Sequence, residues 1–342
     1  MKRLLSLFLM LTMLASLMAG CTSNTSDPST ETTEAATTAS TTAATTDKSD
    51  DQESNQPHML DGKKIIFIGN SYTYYGKTVL EKKQSVLTQS ARSNDKGFFY
   101  QLCKANGAQV SVTNWTFGAH DFVDLFENCT ANRGCDGAGH QNYLTDRNFD
   151  YVVLQQGSGG KDDPQFLERL ESIMQLFREA NPDVKFVFLV QTAVHNDSYS
   201  WRSKIKELDQ KNVIVVDWGA LVCDLINQKV QVPGGTEVYN KNSFIVCKSA
   251  ADGYHPNMLT GYITTLMTYC AITGESAVGQ DYSFCNDSSK NSAFNFNQFI
   301  STYYTYNNAT TNFPAIFASQ GDMAGIQQLV DQYLAAKAYQ SY

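Results

Sequence analysis

The chain reads Lys64-Ile65-Ile66-Phe67-Ile68-Gly69-Asn70-Ser71 where a run of four apolar residues gives way to a small polar turn. A continuous apolar run of this length predicts a strand that is buried on both faces, as in a parallel sheet. Open α/β sheets carry their functional groups at the carboxyl ends of such strands. Ser71 is therefore predicted to lie at the functional edge of a parallel sheet.

Further apolar runs follow, with amphipathic stretches between them. Strands are predicted at 64–68, 109–115, 151–155, 185–190 and 213–216, and helices at 76–90, 97–106, 164–180, 200–211, 221–227, 259–271 and 323–338. Because apolar strands alternate with amphipathic helices, we expect a parallel sheet that is covered on both faces. The predicted fold class is α/β, with three α/β/α layers around a flavodoxin-like parallel sheet of about five strands.

Residues 1–20 have the composition of an export signal. Lys2 and Arg3 precede an apolar segment that ends in Ala19-Gly20-Cys21, and this order is typical of a signal peptide. Ala-Gly-Cys after an apolar core resembles a bacterial lipobox, which implies cleavage before Cys21 and a lipid on its sulfur. A plain transmembrane anchor, or cleavage at another residue, is the alternative.

Residues 21–57 are predicted to be a disordered tether. From residue 22 to 56 the chain is mostly Thr, Ser and Ala, with seven acidic residues and one lysine, and this segment carries most of the net charge of −8. Such a composition cannot bury enough apolar surface to fold. The remaining domain, 58–342, has no basic cluster that would bind nucleic acid. We expect a lipid-anchored protein on the extracellular face of the membrane of a Gram-positive bacterium.

The eight cysteines suggest disulfides, because an exported protein tolerates them. Cys129 and Cys135 are the first candidate pair, and Cys270 with Cys285 is the second. Cys129, Cys135 and His140 could instead bind zinc, but their spacing matches no common zinc pattern and a fourth ligand is not evident. No metal is expected.

A second polar motif, Asp252-Gly253-Tyr254-His255, lies roughly 180 residues after Ser71. The carboxylate of Asp252 can hold one nitrogen of the His255 imidazole while the other nitrogen faces Ser71. This arrangement activates a serine hydroxyl for attack on an acyl group. The two motifs together therefore predict a hydrolase with Ser71, His255 and Asp252 as its catalytic residues.

These motifs resemble, in order, the conserved blocks of the SGNH, or GDSL-like, hydrolase superfamily. Block one is Gly69-Asn70-Ser71-Tyr72-Thr73, with Asn70 where many members have Asp, and block five is Asp252-x-x-His255. The glycine that the family places after the second strand is Gly118. The resemblance implies a serine esterase without a cofactor.

The third block departs from the family pattern of Gly-x-Asn-Asp. Residues 153–158 read Val-Leu-Gln-Gln-Gly-Ser, which is more similar to the Gln-Gly-Glu variant of sialate and xylan acetylesterases, or to the Leu-Gln stretch of an uncharacterised subgroup. The family pattern implies an oxyanion hole made of the backbone N–H groups of Ser71 and Gly118 and a side-chain amide. Gln156, or failing that Gln155, is the available amide.

The expected substrate is an acylated small molecule or glycan, and in particular an O-acetyl ester on carbohydrate. A lipase or thioesterase of the same fold, and a catalytically inactive glycan-binding lipoprotein, are the alternatives. The stretch 281–320 is rich in aromatic and amide residues, and it could line a sugar groove or form a packed cap. Residues 71–78 match the motif of a phosphate-binding loop except for its first glycine. A monomer is expected.

Overall fold

The computed structural model describes residues 57–81, 90–127, 144–157, 160–191, 199–236, 238–246, 255–287, 289–290 and 320–342. Six strands form the main sheet: β1 Lys64–Gly69, β2 Arg92–Ser93, β3 Ser111–Thr116, β4 Tyr151–Leu154, β5 Lys185–Leu189 and β6 Val213–Val216. Their order across the sheet is β2-β3-β1-β4-β5-β6. All neighbours are parallel except β2 and β3.

The order of the five parallel strands, β3-β1-β4-β5-β6, is the doubly wound flavodoxin-like order. Strand β1 is central, and the chain leaves it first toward β3 and later toward β4. The crevice outside the carboxyl end of β1 is therefore the switch point of the sheet, where such folds bind ligands. The predicted five parallel strands are confirmed, and the short antiparallel β2 is an addition at one edge.

The helices are α1 Ser71–Tyr74, α2 Phe98–Ala105, α3 Phe166–Ala180, α4 Trp218–Ile226, α5 Lys241–Phe244, α6 Met258–Thr273 and α7 Gln320–Ala336. Shorter turns of 3₁₀ helix lie at Tyr75–Lys77, Ser283–Asn286 and Ala338–Ser341, and Val123–Glu127 forms a π turn. Strands β7 Ile245–Val246 and β8 His255–Pro256 pair antiparallel outside the main sheet. The helix predicted at 200–211 is a 3₁₀ helix, Ser200–Lys211.

The helix predicted at 76–90 is wrong in its described part. Gly76 has a φ of +69° and Lys77 a φ of +55°, a left-handed conformation that breaks a right-handed helix. Val79 and Leu80 are nevertheless buried. The helical spacing of these apolar residues therefore reflects packing against the core and not a helix.

The core lies on both faces of the sheet. Ile65 and Phe67 of β1 pack in one apolar layer with α2, α4 and α6. Ile66 and Ile68 point the other way and pack with α3 and the 3₁₀ helix that precedes β6. Alternate residues of one strand thus supply two separate layers, which confirms the three-layer α/β/α fold.

Cys270 and Cys285 are buried free thiols, so the predicted disulfide between them is wrong. Both lie in the apolar layer that contains α6, where a free cysteine packs as a small hydrophobic residue. Cys21, the tether, Cys129, Cys135 and His140 lie outside the described residues, as do Asp252 and most of the 281–320 stretch.

Among the described residues, no three His, Cys, Asp or Glu side chains form a group that could hold a metal ion. A bilayer-crossing helix is also not found in the described ranges, where each helix is too short or too polar for that role.

Candidate active site

Ser71 lies at a sharp turn between β1 and α1. Asn70 is the N-cap of α1, with an extended backbone and a side-chain oxygen that accepts the N–H of Tyr72 at 3.1 Å. A Cβ on Gly69 would lie 2.9 Å from the backbone oxygen of Gln155 on the neighbouring strand. Only glycine fits this close approach without a shift. The turn therefore presents Ser71 as the first helical residue at the carboxyl edge of the sheet.

His255 lies beside Ser71. Its Nε2 is 2.9 Å from the Ser71 Oγ, which is hydrogen-bonding distance. His255 belongs to β8, which pairs with β7 and directly precedes α6. Asn257 caps α6 by accepting the Thr260 N–H at 3.1 Å, and this cap fixes the end of the segment that carries the histidine. The predicted serine and histidine are thus adjacent in the structure.

Two tyrosines surround the imidazole of His255. The Tyr75 ring stacks on it, with ring centroids 4.1 Å apart and an interplanar angle of 17°. The Tyr72 ring lies 5.8 Å away at 33°. A stacked aromatic face favours a positively charged partner. Tyr75 therefore positions the imidazole, and its ring face would stabilise a positive charge on that ring.

Gly118 lies in the exposed loop that follows β3. The N–H of Phe117, one residue earlier, donates to the Gly69 oxygen at 2.9 Å, so this loop starts next to the turn that carries Ser71. Across the described ranges, the backbone N–H groups of Ser71 and Gly118 find no hydrogen-bond partner. For Ser71 this is expected, because N–H groups in the first turn of a helix have no acceptor within it. Both groups can bind an anion.

The amide of Asn70 and the ring of His120 hold this loop. Asn70 Nδ2 donates to the His120 oxygen at 3.3 Å, and His120 Nδ1 lies 2.7 Å from the Gly118 oxygen. Ala119 between them has a φ of +60°, an unusual value for a residue with a side chain. Sequence reasoning missed this role of Asn70. The sequence feature that could have indicated this role is the position of Asn70 directly before Ser71, where a side-chain amide can both accept and donate hydrogen bonds.

The two glutamines of the third block point to opposite sides, as strand alternation predicts. Gln155 Oε1 accepts the Thr73 hydroxyl at 2.8 Å, under α1. Gln156 Oε1 accepts the Phe122 N–H at 2.9 Å and the Gly157 N–H at 3.3 Å. Gln156 thus supports the segment that follows Gly118.

The amide nitrogens of both glutamines are buried from solvent, and they have no hydrogen-bond partner within the described residues. Ser71–Tyr74 is a turn of α-helix, so its N–H groups do not wrap around an anion as those of the rival phosphate-binding loop would have to.

A cavity of about 530 Å³ lies away from Ser71. It is lined by the amino end of β6 and by the carboxyl ends of α6 and α7, including Val213, Glu275 and Asp331. Its lining includes none of the residues around Ser71 and His255. This cavity is therefore distinct from the crevice at the carboxyl end of the sheet, where Ser71 and His255 lie.

The comparisons with known proteins give only distant likenesses. No family model and no curated protein matches the chain. A catalytic mutant of an acetylxylan esterase from Geobacillus stearothermophilus matches with a TM-score of 0.41 and 14% identity, over 63% of this chain and 95% of that one.

Two further solved structures match at similar values. A carbohydrate esterase family 2 enzyme with a carbohydrate-binding domain, from Corynascus thermopiles, has a TM-score of 0.36 and 16% identity, over 64% of this chain and 67% of that one. Phospholipase A1 from Streptomyces albidoflavus NA297 has a TM-score of 0.36 and 14% identity, over 60% and 98%. At these values the likeness carries no weight for this chain, whose fold and site follow from its own residues.

Proposed function

We propose that this chain is an extracytoplasmic serine esterase of the SGNH type. The observation that carries the proposal is the 2.9 Å contact between His255 Nε2 and Ser71 Oγ at the switch point of the sheet. An imidazole at this distance can remove the hydroxyl proton as a general base. The N–H groups of Ser71 and Gly118, which bond no group in the described ranges, are the proposed donors for the negative charge that acyl transfer develops.

The reaction runs in two steps. His255 takes the proton of Ser71 as its Oγ attacks the ester carbonyl carbon, and the carbonyl oxygen becomes an oxyanion held by the N–H groups of Ser71 and Gly118. The intermediate collapses when His255 returns the proton to the leaving alcohol oxygen. His255 then takes a proton from water as the water oxygen attacks the acyl-enzyme, and it returns that proton to Ser71 Oγ as the C–Oγ bond breaks and the acid leaves. Asp252, three residues before His255, is the proposed orienting carboxylate.

We propose an O-acyl ester, in particular O-acetyl on carbohydrate, as the substrate. Two sequence features support this choice: the expected surface tether, which directs the domain toward glycans outside the cell, and the variant third block. The proposed anchor is a lipid on Cys21, on the outer face of the membrane, and the proposed state is a monomer. A lipase or thioesterase is the alternative within the same chemistry, because a shared fold does not select the substrate.

A screen of the purified protein tests the proposal. It uses p-nitrophenyl esters of increasing acyl length and acetylated polysaccharides, with release of p-nitrophenol or acetate as the measurement. We expect cleavage of short acyl esters and of the acetylated glycan. A preference for long acyl chains would favour the lipase alternative.

Ser71→Ala should abolish cleavage and leave the fold intact, since it deletes the nucleophile and little volume. Loss of a triad member lowers the rate by several orders of magnitude. Ser172→Ala, on the exposed face of α3, is the matched control and should be fully active. Retention of more than about a tenth of wild-type turnover in Ser71→Ala would refute the assignment. A glycan-binding protein would instead show no wild-type turnover and unchanged binding in the variant.

A further inference from the structure

The side chain of Tyr74 extends from the helix of the nucleophile toward the neighbouring loop. Tyr74 is the third residue after Ser71 in α1, and side chains three residues apart share one face of a helix. A Cβ built on Gly118 would lie 2.9 Å from the Tyr74 hydroxyl oxygen. The hydroxyl thus occupies the space beside Gly118 that any larger residue would take.

The Tyr74 hydroxyl is a free donor. It makes no hydrogen bond to any residue in the described part of the chain, and Tyr74 is only half-buried. Burial raises the pKa of Tyr74 to about 12. The phenol therefore keeps its proton at neutral pH and can donate it in a hydrogen bond.

The hydroxyl is close enough to Gly118 to share one acceptor with it. Since the N–Cα and Cα–Cβ bonds are each about 1.5 Å long, the hydroxyl oxygen lies within about 6 Å of the Gly118 nitrogen. Two donors that each lie about 2.9 Å from one oxygen can be up to about 6 Å apart. A single substrate oxygen can therefore accept from both groups.

The amide oxygens of the third block are engaged elsewhere, since Gln155 Oε1 accepts from Thr73 and Gln156 Oε1 accepts from Phe122. The amide nitrogens have no partner among the described residues, but they are buried from solvent, where a substrate oxygen does not reach them. We propose that the Tyr74 hydroxyl is the third donor of the oxyanion hole and binds the developing charge together with the N–H groups of Ser71 and Gly118. This inference rests on the proposed esterase function.

Tyr74→Phe tests the inference because it removes only the hydroxyl oxygen. Donors aimed at developing charge act mainly in the transition state, so kcat for p-nitrophenyl acetate should fall about a hundred- to a thousandfold with KM little changed. Phenylboronic acid, which forms a tetrahedral adduct with a serine nucleophile, should bind more weakly by a similar factor. Tyr100→Phe is the control, because it makes the same change at a half-buried tyrosine of α2. It should leave kcat, KM and the affinity for phenylboronic acid unchanged.

The outcomes separate the inference from the function on which it rests. An active wild type with an equally active Tyr74→Phe variant overturns the inference alone. A raised KM with unchanged kcat also overturns it, because that result assigns the hydroxyl to ground-state binding. A wild type without any turnover overturns the esterase function and this inference with it.

Discussion

Asp217 should make the protein less stable as the pH rises from about 4 to about 6. It follows β6 and caps α4, where one carboxylate oxygen accepts the Ala220 N–H at 3.1 Å. The hydroxyl of Tyr342 donates to the other oxygen, and the Arg202 guanidinium lies 3.6 Å from the centroid of the Tyr342 ring. Burial outweighs these contacts and raises the pKa of Asp217 from 3.8 to about 6.

The sign and size of the effect follow from this shift. Between pH 4 and pH 6 the native carboxyl keeps its proton while the unfolded one has lost it, so the native state binds more protons and stability falls with rising pH. The rise in the pKa of Asp217 from 3.8 to about 6 corresponds to roughly 3 kcal/mol. This contribution is present in full below about pH 4 and is lost above about pH 6.

Asp217→Asn removes the ionisation and keeps the cap, because asparagine and aspartate cap helices equally well. The free energy of unfolding, measured in urea at pH 4, 5, 6 and 7, should rise in the variant relative to wild type by up to about 3 kcal/mol across this window. Asp183→Asn, at an exposed turn, controls for the loss of one charge and should show a flat difference. A flat difference for Asp217→Asn as well would refute the reasoning.

Three other changes test the site and the anchor. Asn70→Ala removes the cap of α1 and the bond to the His120 oxygen, so the unfolding free energy should fall by about 1 kcal/mol or more and turnover should fall with it. Gln156→Ala leaves the buried Phe122 N–H unpaired, which should cost about 1–3 kcal/mol and lower kcat. Gln155→Ala should instead affect α1 through Thr73, and if neither glutamine variant alters turnover, the third block has no part in catalysis. Cys21→Ser should release the protein into the medium or leave it unprocessed, and unchanged membrane retention of a processed chain would contradict the lipid anchor.

The strands could be predicted because each is a continuous apolar run bounded by polar turns, a pattern that depends on local sequence. The proximity of Ser71 and His255 was predictable from their motifs and from the edge at which parallel strands end. The failed helix at 76–90 shows the limit of this approach. The apolar residues in this stretch do have helical spacing. The left-handed backbone at Gly76 and Lys77 cannot be predicted from the spacing of apolar residues.

The partners of the site residues could not be predicted, because they come from distant segments. The Gln156 amide bonds a backbone group 34 residues away, and the Gln155 amide bonds a hydroxyl 82 residues away. The alternation of side chains along a strand predicted that the two glutamines point to opposite faces of the sheet, but it did not predict their hydrogen-bond partners. Cys270 and Cys285 are close in sequence, yet spacing alone does not fix the distance or direction that a disulfide requires.

The short strand β2 limits how this sheet can associate with other chains. An exposed edge strand presents unpaired backbone groups that can template the addition of a foreign strand, which is the first step of many aggregation routes. Here the sheet ends in only two residues, Arg92 and Ser93, both exposed and one of them charged. A strand this short offers an incoming chain too few backbone hydrogen bonds to hold a register. We therefore expect this edge to resist strand addition even at high protein concentration.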